Sequence, residues 1–412
     1  MTSSIPTPAY VVYEDRLRRN LQLIADVARR ADVEIIMALK ANALWRTFPI
    51  LRPHVMGATA SSVNEMTLAR EYLTDNIHAF APVYSAEDFR TFCQTCSHVT
   101  FNSMRQLQAH TPAIREMSEK EQKLPSFGLR VNPQCSVIET DIYNPCLPGS
   151  RFGMMADQLP ETLPKEIEGF HFHALCESSS HDLEKVLGAF EHQFGRWLPQ
   201  LKWLNLGGGH LMTRADYDRD HLVDVLRGFK ERHPHLHIIM EPGSAFAWRS
   251  GDLIVTVLDV VENSGVSTAI IDASFACHMP DCLEMPYRPR ITEALNDSVT
   301  GGYEYRLGGN SCLSGDYCGT WRFREPLQPG QRLTLEDMNH YTNVKTTMFN
   351  GLQHPSVYLM PNAASSALAT EPASPTADTG TPCQGITGTG TPSPAPILLR
   401  TYTFADYRDR MC

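Results

Sequence analysis

Short runs of apolar and β-branched residues alternate with longer amphipathic stretches through more than half of the chain. The runs fall at residues 34–40, 54–60, 77–83, 98–103, 127–131, 169–175, 203–207 and 237–241. Most are followed by apolar positions at helical spacing, as in 61–72, 183–198 and 217–232. Eight strands alternating with helices over roughly 230 residues predict an α/β fold, a (β/α)₈ barrel. A doubly wound sheet is the competing arrangement. Beyond Glu241 the pattern changes: 253–258, 268–272 and 332–335 read as strands with no long helix between them. With an early strand at 9–13, they predict a β-domain assembled from both chain ends, and 14–31 reads as the helix leading into the barrel. The expected division is a barrel over 15–245 and a β-domain over 1–14 and 246–412.

Residues 363–396 are rich in Ser, Thr, Pro, Ala and Gly, with almost no large apolar side chain besides Leu368 and Ile386. Such a tract cannot bury enough surface to offset its ordering entropy, so a disordered insertion is expected there. The stretch after it regains Tyr402, Phe404 and Tyr407 and is expected to dock back onto the β-domain.

At 412 residues the chain exceeds one ordinary core, which agrees with two domains. No apolar run approaches the roughly 20 residues of a membrane span. The start, Met1-Thr2-Ser3-Ser4-Ile5-Pro6, lacks the features of a signal peptide, so a cytoplasmic protein is expected. A net charge of −10 argues against a nucleic-acid partner and is compatible with a cationic substrate. The eleven cysteines are scattered and read as reduced thiols. Cys93 and Cys96 form one C-x-x-C with no second pair, so no metal site is expected.

Candidate chemistry gathers at the C-terminal ends of the predicted strands, where barrel enzymes place their sites. Lys40 closes the apolar run 34–39. A lysine at the mouth of such a strand loses hydration, which favours the neutral amine needed to form a Schiff base with an aldehyde. Gly207-Gly208-Gly209 ends the seventh strand and lets backbone N–H groups approach an anion. Glu241 ends the eighth and could keep a pyridine nitrogen protonated. His173 shares a strand face with His171 and could pack on a flat ring. Each residue alone has an ordinary structural explanation: a snorkelling lysine, a loop, a capping glutamate, a core histidine. Together, on one face, they fit a pyridoxal-phosphate enzyme. Gly308 to Asp316 forms a further tight loop with a thiol, Cys312, that could donate a proton, or could be a buried small hydrophobe.

At the level of motifs the chain resembles the alanine-racemase-fold pyridoxal-phosphate decarboxylases, and within them the carboxynorspermidine/carboxyspermidine decarboxylases. The general group matches Ala38-Leu39-Lys40-Ala41, Phe172-His173, Gly207-Gly208-Gly209, Glu241-Pro242-Gly243, the Cys312 loop and Tyr341. More specific are 140–146, 148–153, His173-Ala174-Leu175-Cys176-Glu177, 277–281, 283–289, 336–341 and 345–351. The resemblance implies pyridoxal 5'-phosphate held by Lys40, stacked on by His173, bound at its phosphate by Gly207, Gly208, Gly209 and Tyr341, and paired at its ring nitrogen with Glu241. It implies that Cys312 serves the partner subunit's site, hence a homodimer with two shared sites. Asp281 and Asp316 would face the cationic tail of a carboxylated polyamine, with Glu177 among the substrate contacts, and Arg151 or Arg288 would meet a carboxylate. Ser244 stands where that family usually has a second glutamate, and the family lacks the 363–396 tract. The implied reaction is decarboxylation of carboxynorspermidine or carboxyspermidine. The alternatives are decarboxylation of diaminopimelate, ornithine or arginine, or a catalytically inactive regulatory relative. Leu313 after Cys312 disfavours diaminopimelate, since those enzymes typically carry an acidic residue there.

Overall fold

The computed structural model describes residues 2–362 and 395–411; the tract expected to be disordered falls almost wholly outside them. Nine parallel strand segments form one sheet that closes on itself. The first barrel strand is broken in two. Glu34–Ile35 pairs with His237–Met240, and Met37–Ala38 pairs with Ala58–Ala60. Between them, in chain order, come Ile77–Phe80, His98–Phe101, Ser126–Arg130, Ile167–His171 and Trp203–Asn205. The barrel and its eight strand positions agree with the hydrophobic pattern. The second strand is shorter than its apolar run, because 54–57 turn before pairing begins.

A second sheet of eight strands, mostly antiparallel, contains Ala9–Tyr13 between Gly251–Asn263 and Ser356–Met360. Ile397–Arg400 adds to its edge against Ser356–Met360, which is how the last stretch docks. Four strands of this sheet, Tyr303–Gly308, Tyr317–Phe323, Ser356–Met360 and the closing Ile397–Arg400, are not read as strands from the sequence pattern. Tyr303–Gly308 alternates over only a few residues, a bulge at Gly319 breaks the period of Tyr317–Phe323, and Ser356–Met360 is a short run with little alternation. Among the described residues no helix is long and apolar enough to cross a membrane.

Local chemistry sets the barrel helices. Glu14–Ala31 buries Leu17, Leu21, Ile24, Val27, Ala28 and Ala31 at three- and four-residue spacing. It begins with Glu14 and Asp15, ends with Arg29 and Arg30, and stops at left-handed Asp32 (φ 54°), so charge and dipole agree at both ends. Helices Val63–Tyr72, Ala86–Thr95, Met104–Glu119, Ser180–Phe194 and Arg219–Arg232 are each capped by a side chain. Ser62, Ser85, Ser103, Ser179 and Asp218 accept the orphan N–H three residues on.

The period-two alternation of the strands decides what faces inward. Ile35, Met37, Leu39, Phe127, Leu129, Phe170, Phe172, Leu204, Leu206, Ile238 and Met240 pack in the core cluster shared with the helices. Their alternates therefore line the barrel. Low in it, Ile36, Trp203 and Ile239 form a separate buried cluster. Trp203 donates to Ser126 Oγ at 2.8 Å. The indole lies where side chains on two neighbouring strands would otherwise stand: a Cβ on Gly169 would sit 2.0 Å from it, and one on Gly128 2.2 Å. Gly169→Ala should thus cost about 1–3 kcal/mol through overpacking. Gly188→Ala should instead stabilise by about 0.5–1 kcal/mol, since that helical glycine has open space around it. Urea unfolding of the two variants checks the opposite signs.

Candidate active site

Just above the Trp203 layer, the same alternation carries polar groups inward at the C-terminal end of the barrel. Arg130, His171, Asn205 and Glu241 are all buried there. Lys40 stands in the short 3₁₀ turn Leu39–Ala41 that follows Met37–Ala38. It projects into two cavities and is solvent-accessible in them, while the protein mass around its amine excludes most water. That desolvation, with the Arg130 guanidinium, pulls the Lys40 pKa below the usual ammonium value; Glu241 opposes the shift. Burial raises the Glu241 pKa, against a 2.6 Å hydrogen bond from Asn205 Nδ2 and the nearby cations. His171 Nε2 lies 3.7 Å from Glu241 Oε2, and neither ring nitrogen of His171 finds a hydrogen-bond partner among the described residues.

His173, two residues beyond His171, is fixed by its backbone neighbour. The Gly208 N–H donates to His173 Nδ1 at 2.8 Å, so the imidazole accepts there. Burial, reinforced by Lys40 and Arg130, holds its pKa well below the ordinary imidazole value. The triple glycine is a close approach of backbones. Gly207 and Gly209 take φ of +69° and +89°, and a Cβ on Gly209 would lie 2.2 Å from the Leu175 carbonyl. A Cβ on Gly208 would lie 2.5 Å from the Glu241 carbonyl oxygen. The glycines do not act as three equal donors. Gly207 N–H is taken by Asn205 Oδ1 and Gly208 N–H by His173. A narrow cleft beside them is lined by Lys40, Gly208, Gly209, Gly243, Ser244 and Tyr341. Tyr341 is pinned through its N–H to the Ala41 carbonyl at 2.7 Å, and burial raises its phenol pKa.

From Lys40 a cavity of about 690 Å³ opens past Tyr143, His173, Glu177, Trp248, Asp281, Arg288, Asp337 and His340. Four non-glycine residues with left-handed backbone, Glu177, Arg249, Asp337 and Tyr341, line it. Strain of that kind persists where surrounding structure imposes it. Asp281 is occupied by Lys345, which also binds Glu284, and accepts from Tyr143 at 3.4 Å. Arg288 reaches the cavity, but its guanidinium is engaged by Asp297 and the Thr320 carbonyl. Glu177 has its pKa raised by burial, with Asp337 and Asp281 adding to the shift and His340 opposing it.

The remaining expected residues lie outside this cavity in the single chain. Arg151 is exposed and rests over Phe152. Cys312 is exposed, its N–H donating to Asn350 Oδ1 at 2.7 Å. Asp316 is buried and turned into its own loop, accepting from Ala276 and Ser311 N–H groups at 2.9 and 3.1 Å. The sequence reading missed Arg130, Asn205, Asp337 and His340. For Arg130 and Asn205 the strand alternation was the available signal, because both share a face with inward neighbours.

The inward set fits pyridoxal phosphate: an amine of lowered pKa, a buried proton-holding carboxyl, and a cleft that side chains at the glycines would fill. The chain belongs to the pyridoxal-dependent decarboxylases, whose pyridoxal-binding domain matches it over residues 14–248. It is a pyridoxal-phosphate-dependent carboxy-lyase. A carboxyaminopropylagmatine decarboxylase from Synechocystis is 48% identical, the alignment covering 86% of this chain and 90% of that one. A carboxynorspermidine/carboxyspermidine decarboxylase from Campylobacter jejuni is 36% identical, over 86% and 93%. The crystal structure of carboxynorspermidine decarboxylase from Campylobacter jejuni, complexed with norspermidine, superposes with a TM-score of 0.81 at 30% identity, covering 98% of this chain and all of that one.

His340 gives a pH-dependent prediction. Burial lowers its pKa, but Asp337, at 3.4 Å, together with Glu177 and Asp281, raises it overall. A raised imidazole pKa adds stability that is present below the unfolded value and lost as pH climbs through the folded one. The stability difference between wild type and Asp337→Asn should therefore be larger at about pH 6 than at about pH 9. Chemical denaturation at the two pH values reads it, and an equal difference at both would contradict the pairing.

Proposed function

We propose that this enzyme decarboxylates a carboxylated polyamine, carboxynorspermidine or carboxyspermidine, releasing the corresponding triamine. The observation that carries the reading is the cavity leading from Lys40 between Glu177, Asp281 and Asp337. Glu177 is a desolvated carboxyl whose carboxylate neighbours raise its pKa, so a cationic chain laid along this wall would relieve the repulsion. The alignments support the same class of substrate. A second reading, carboxyaminopropylagmatine, is favoured by the 48% identity to the Synechocystis enzyme.

In this reading Lys40 supplies the amine that holds the cofactor aldehyde and, after the reaction, frees the product amine. When bound, pyridoxal phosphate supplies the sink for the electron pair left when the α-carboxylate departs as CO₂. Glu241 holds the proton at the ring nitrogen. His173, oriented by the Gly208 N–H, packs on the ring. The cleft beside the glycine loop holds the phosphate through the Gly209 N–H and Tyr341, with Gly207 and Gly208 giving the loop its close approach and Ser244 beside them. Glu177 and Asp281 receive the ammonium groups of the tail, Asp281 by exchanging with or sharing Lys345. Arg288, bound to Asp297 here, is poorly placed to receive a carboxylate, and Arg151 is more exposed still. Cys312 of the partner subunit returns a proton to the carbon that has lost CO₂, and its loop brings Asp316. This requires a homodimer with two shared sites. The nine described cysteines are all free thiols, which suits a cytoplasmic enzyme.

Two experiments test the reading. Supplied with carboxynorspermidine, carboxyspermidine, carboxyaminopropylagmatine, diaminopimelate, ornithine and arginine, the enzyme should release CO₂ from at least one of the first three, with kcat/KM at least about tenfold above the last three. Preference for one of the last three would overturn the polyamine assignment. For the shared site, Lys40→Ala should be inactive and Cys312→Ala slow or prone to misplaced protonation. Mixing the two variants should restore one intact site per mixed dimer. Activity of the mixture equal to the sum of its parts would exclude sharing.

A further inference from the structure

On the outer wall of the barrel, away from Lys40, three side chains from two helices turn toward one point. His181 and Glu184 stand three residues apart on one face of Ser180–Phe194, and His221 stands near the start of Arg219–Arg232. One ligating atom from each of the three lies within 4.8 Å of the others. His221 Nε2 is 3.3 Å from Glu184 Oε2, and the two imidazole rings are 3.9 Å apart between centroids, tilted by 31°. No hydrogen bond joins the three side chains among the described residues, and His221 Nδ1 is buried without a partner. Two imidazoles and a carboxylate, three groups of metal-ligating type, therefore converge on one point.

We propose that His181, Glu184 and His221 bind a divalent transition-metal ion, Zn²⁺ above all. Two histidines and a glutamate are a zinc donor set that leaves a fourth position for water. Imidazole with one carboxylate suits Zn²⁺ and Co²⁺ and disfavours the harder Mg²⁺ and Ca²⁺. Ligand atoms around a tetrahedral zinc stand about 3.3 Å apart, given bonds of about 2.0–2.1 Å. His181 and Glu184 are exposed, so rotating them closes the remaining gap without moving backbone. The position gives the ion a consequence. Ser180–Phe194 begins three residues after Glu177, and Arg219–Arg232 begins ten residues after Gly209. A metal here would clasp the first turns of the two helices that follow the His173–Glu177 segment and the glycine loop.

The holoenzyme, stripped with EDTA and dialysed, is titrated with Zn²⁺ and separately with Co²⁺, and metal content is measured after gel filtration. Wild type should retain one more equivalent of Zn²⁺ per chain than His181→Ala or His221→Ala, and Co²⁺ should give it a visible ligand-field band that both variants lack. Glu184→Gln should weaken Zn²⁺ at least about tenfold, since it replaces a charged ligand. Zn²⁺ should raise the thermal midpoint of wild type alone. Cofactor absorbance should be unchanged in all four proteins, which separates failure of this site from failure of the catalytic assignment. Equal Zn²⁺ content in wild type and a His181→Ala/His221→Ala variant, with no Co²⁺ band, would overturn the proposal.

Discussion

The organising interaction is the electrostatic triangle of Lys40, Arg130 and Glu241 at the top of the barrel. Two cations and one carboxyl share a desolvated space, so neither a full ammonium nor a free carboxylate is comfortable there. Arg130 keeps its charge, held by the faces of Phe80 and Phe152 at 4.6 and 4.4 Å. Lys40, the more easily neutralised cation, absorbs the strain as a lowered pKa. An amine positioned to be neutral is also the kind of nucleophile that the proposed role of Lys40 calls for. The barrel supplies this by geometry alone: every member of the triangle sits at or just past the end of a parallel strand and faces inward.

The second constraint is lack of room. Trp203 fills the lower barrel over Gly128 and Gly169, giving the polar layer above it a rigid floor. Higher up, Gly208 and Gly209 press against the backbone of Glu241 and Leu175, so the strands carrying His173, the glycine loop and Glu241 hold one another in place. The hydrogen bond from Gly208 to His173 shows that this loop orients a ring as well as lining a cleft. One packed unit therefore sets all of these side chains together.

Lys40, Glu241 and His173 were legible in the sequence because each breaks or ends an apolar strand. The same argument extends to Arg130 and Asn205, where strand alternation was there to be used. Asp337 and His340 carry no periodic signal, since they lie in a loop whose backbone is strained locally. The pairing of Asp281 with Lys345 spans 64 residues and depends on tertiary structure, so nothing near either residue announces it. Cys312 and Asp316 are a different case. A single chain leaves one exposed and the other turned into its own loop, and their expected roles depend on a second copy. The barrel itself was readable from eight apolar runs; the second sheet was half hidden by Tyr303–Gly308, whose alternation is brief, and by Tyr317–Phe323, where a bulge at Gly319 breaks the period.

The most direct test is to reduce the holoenzyme with borohydride, digest it, and locate the pyridoxyl label by mass spectrometry. Both Lys40 and Lys345 reach the same cavity, so the position of the label discriminates between them. The triangle of charges predicts modification of Lys40 alone, since Lys345 is held as a cation by Asp281 and Glu284 with its pKa raised. A label on Lys345, or no label on a protein saturated with the cofactor, would contradict the account.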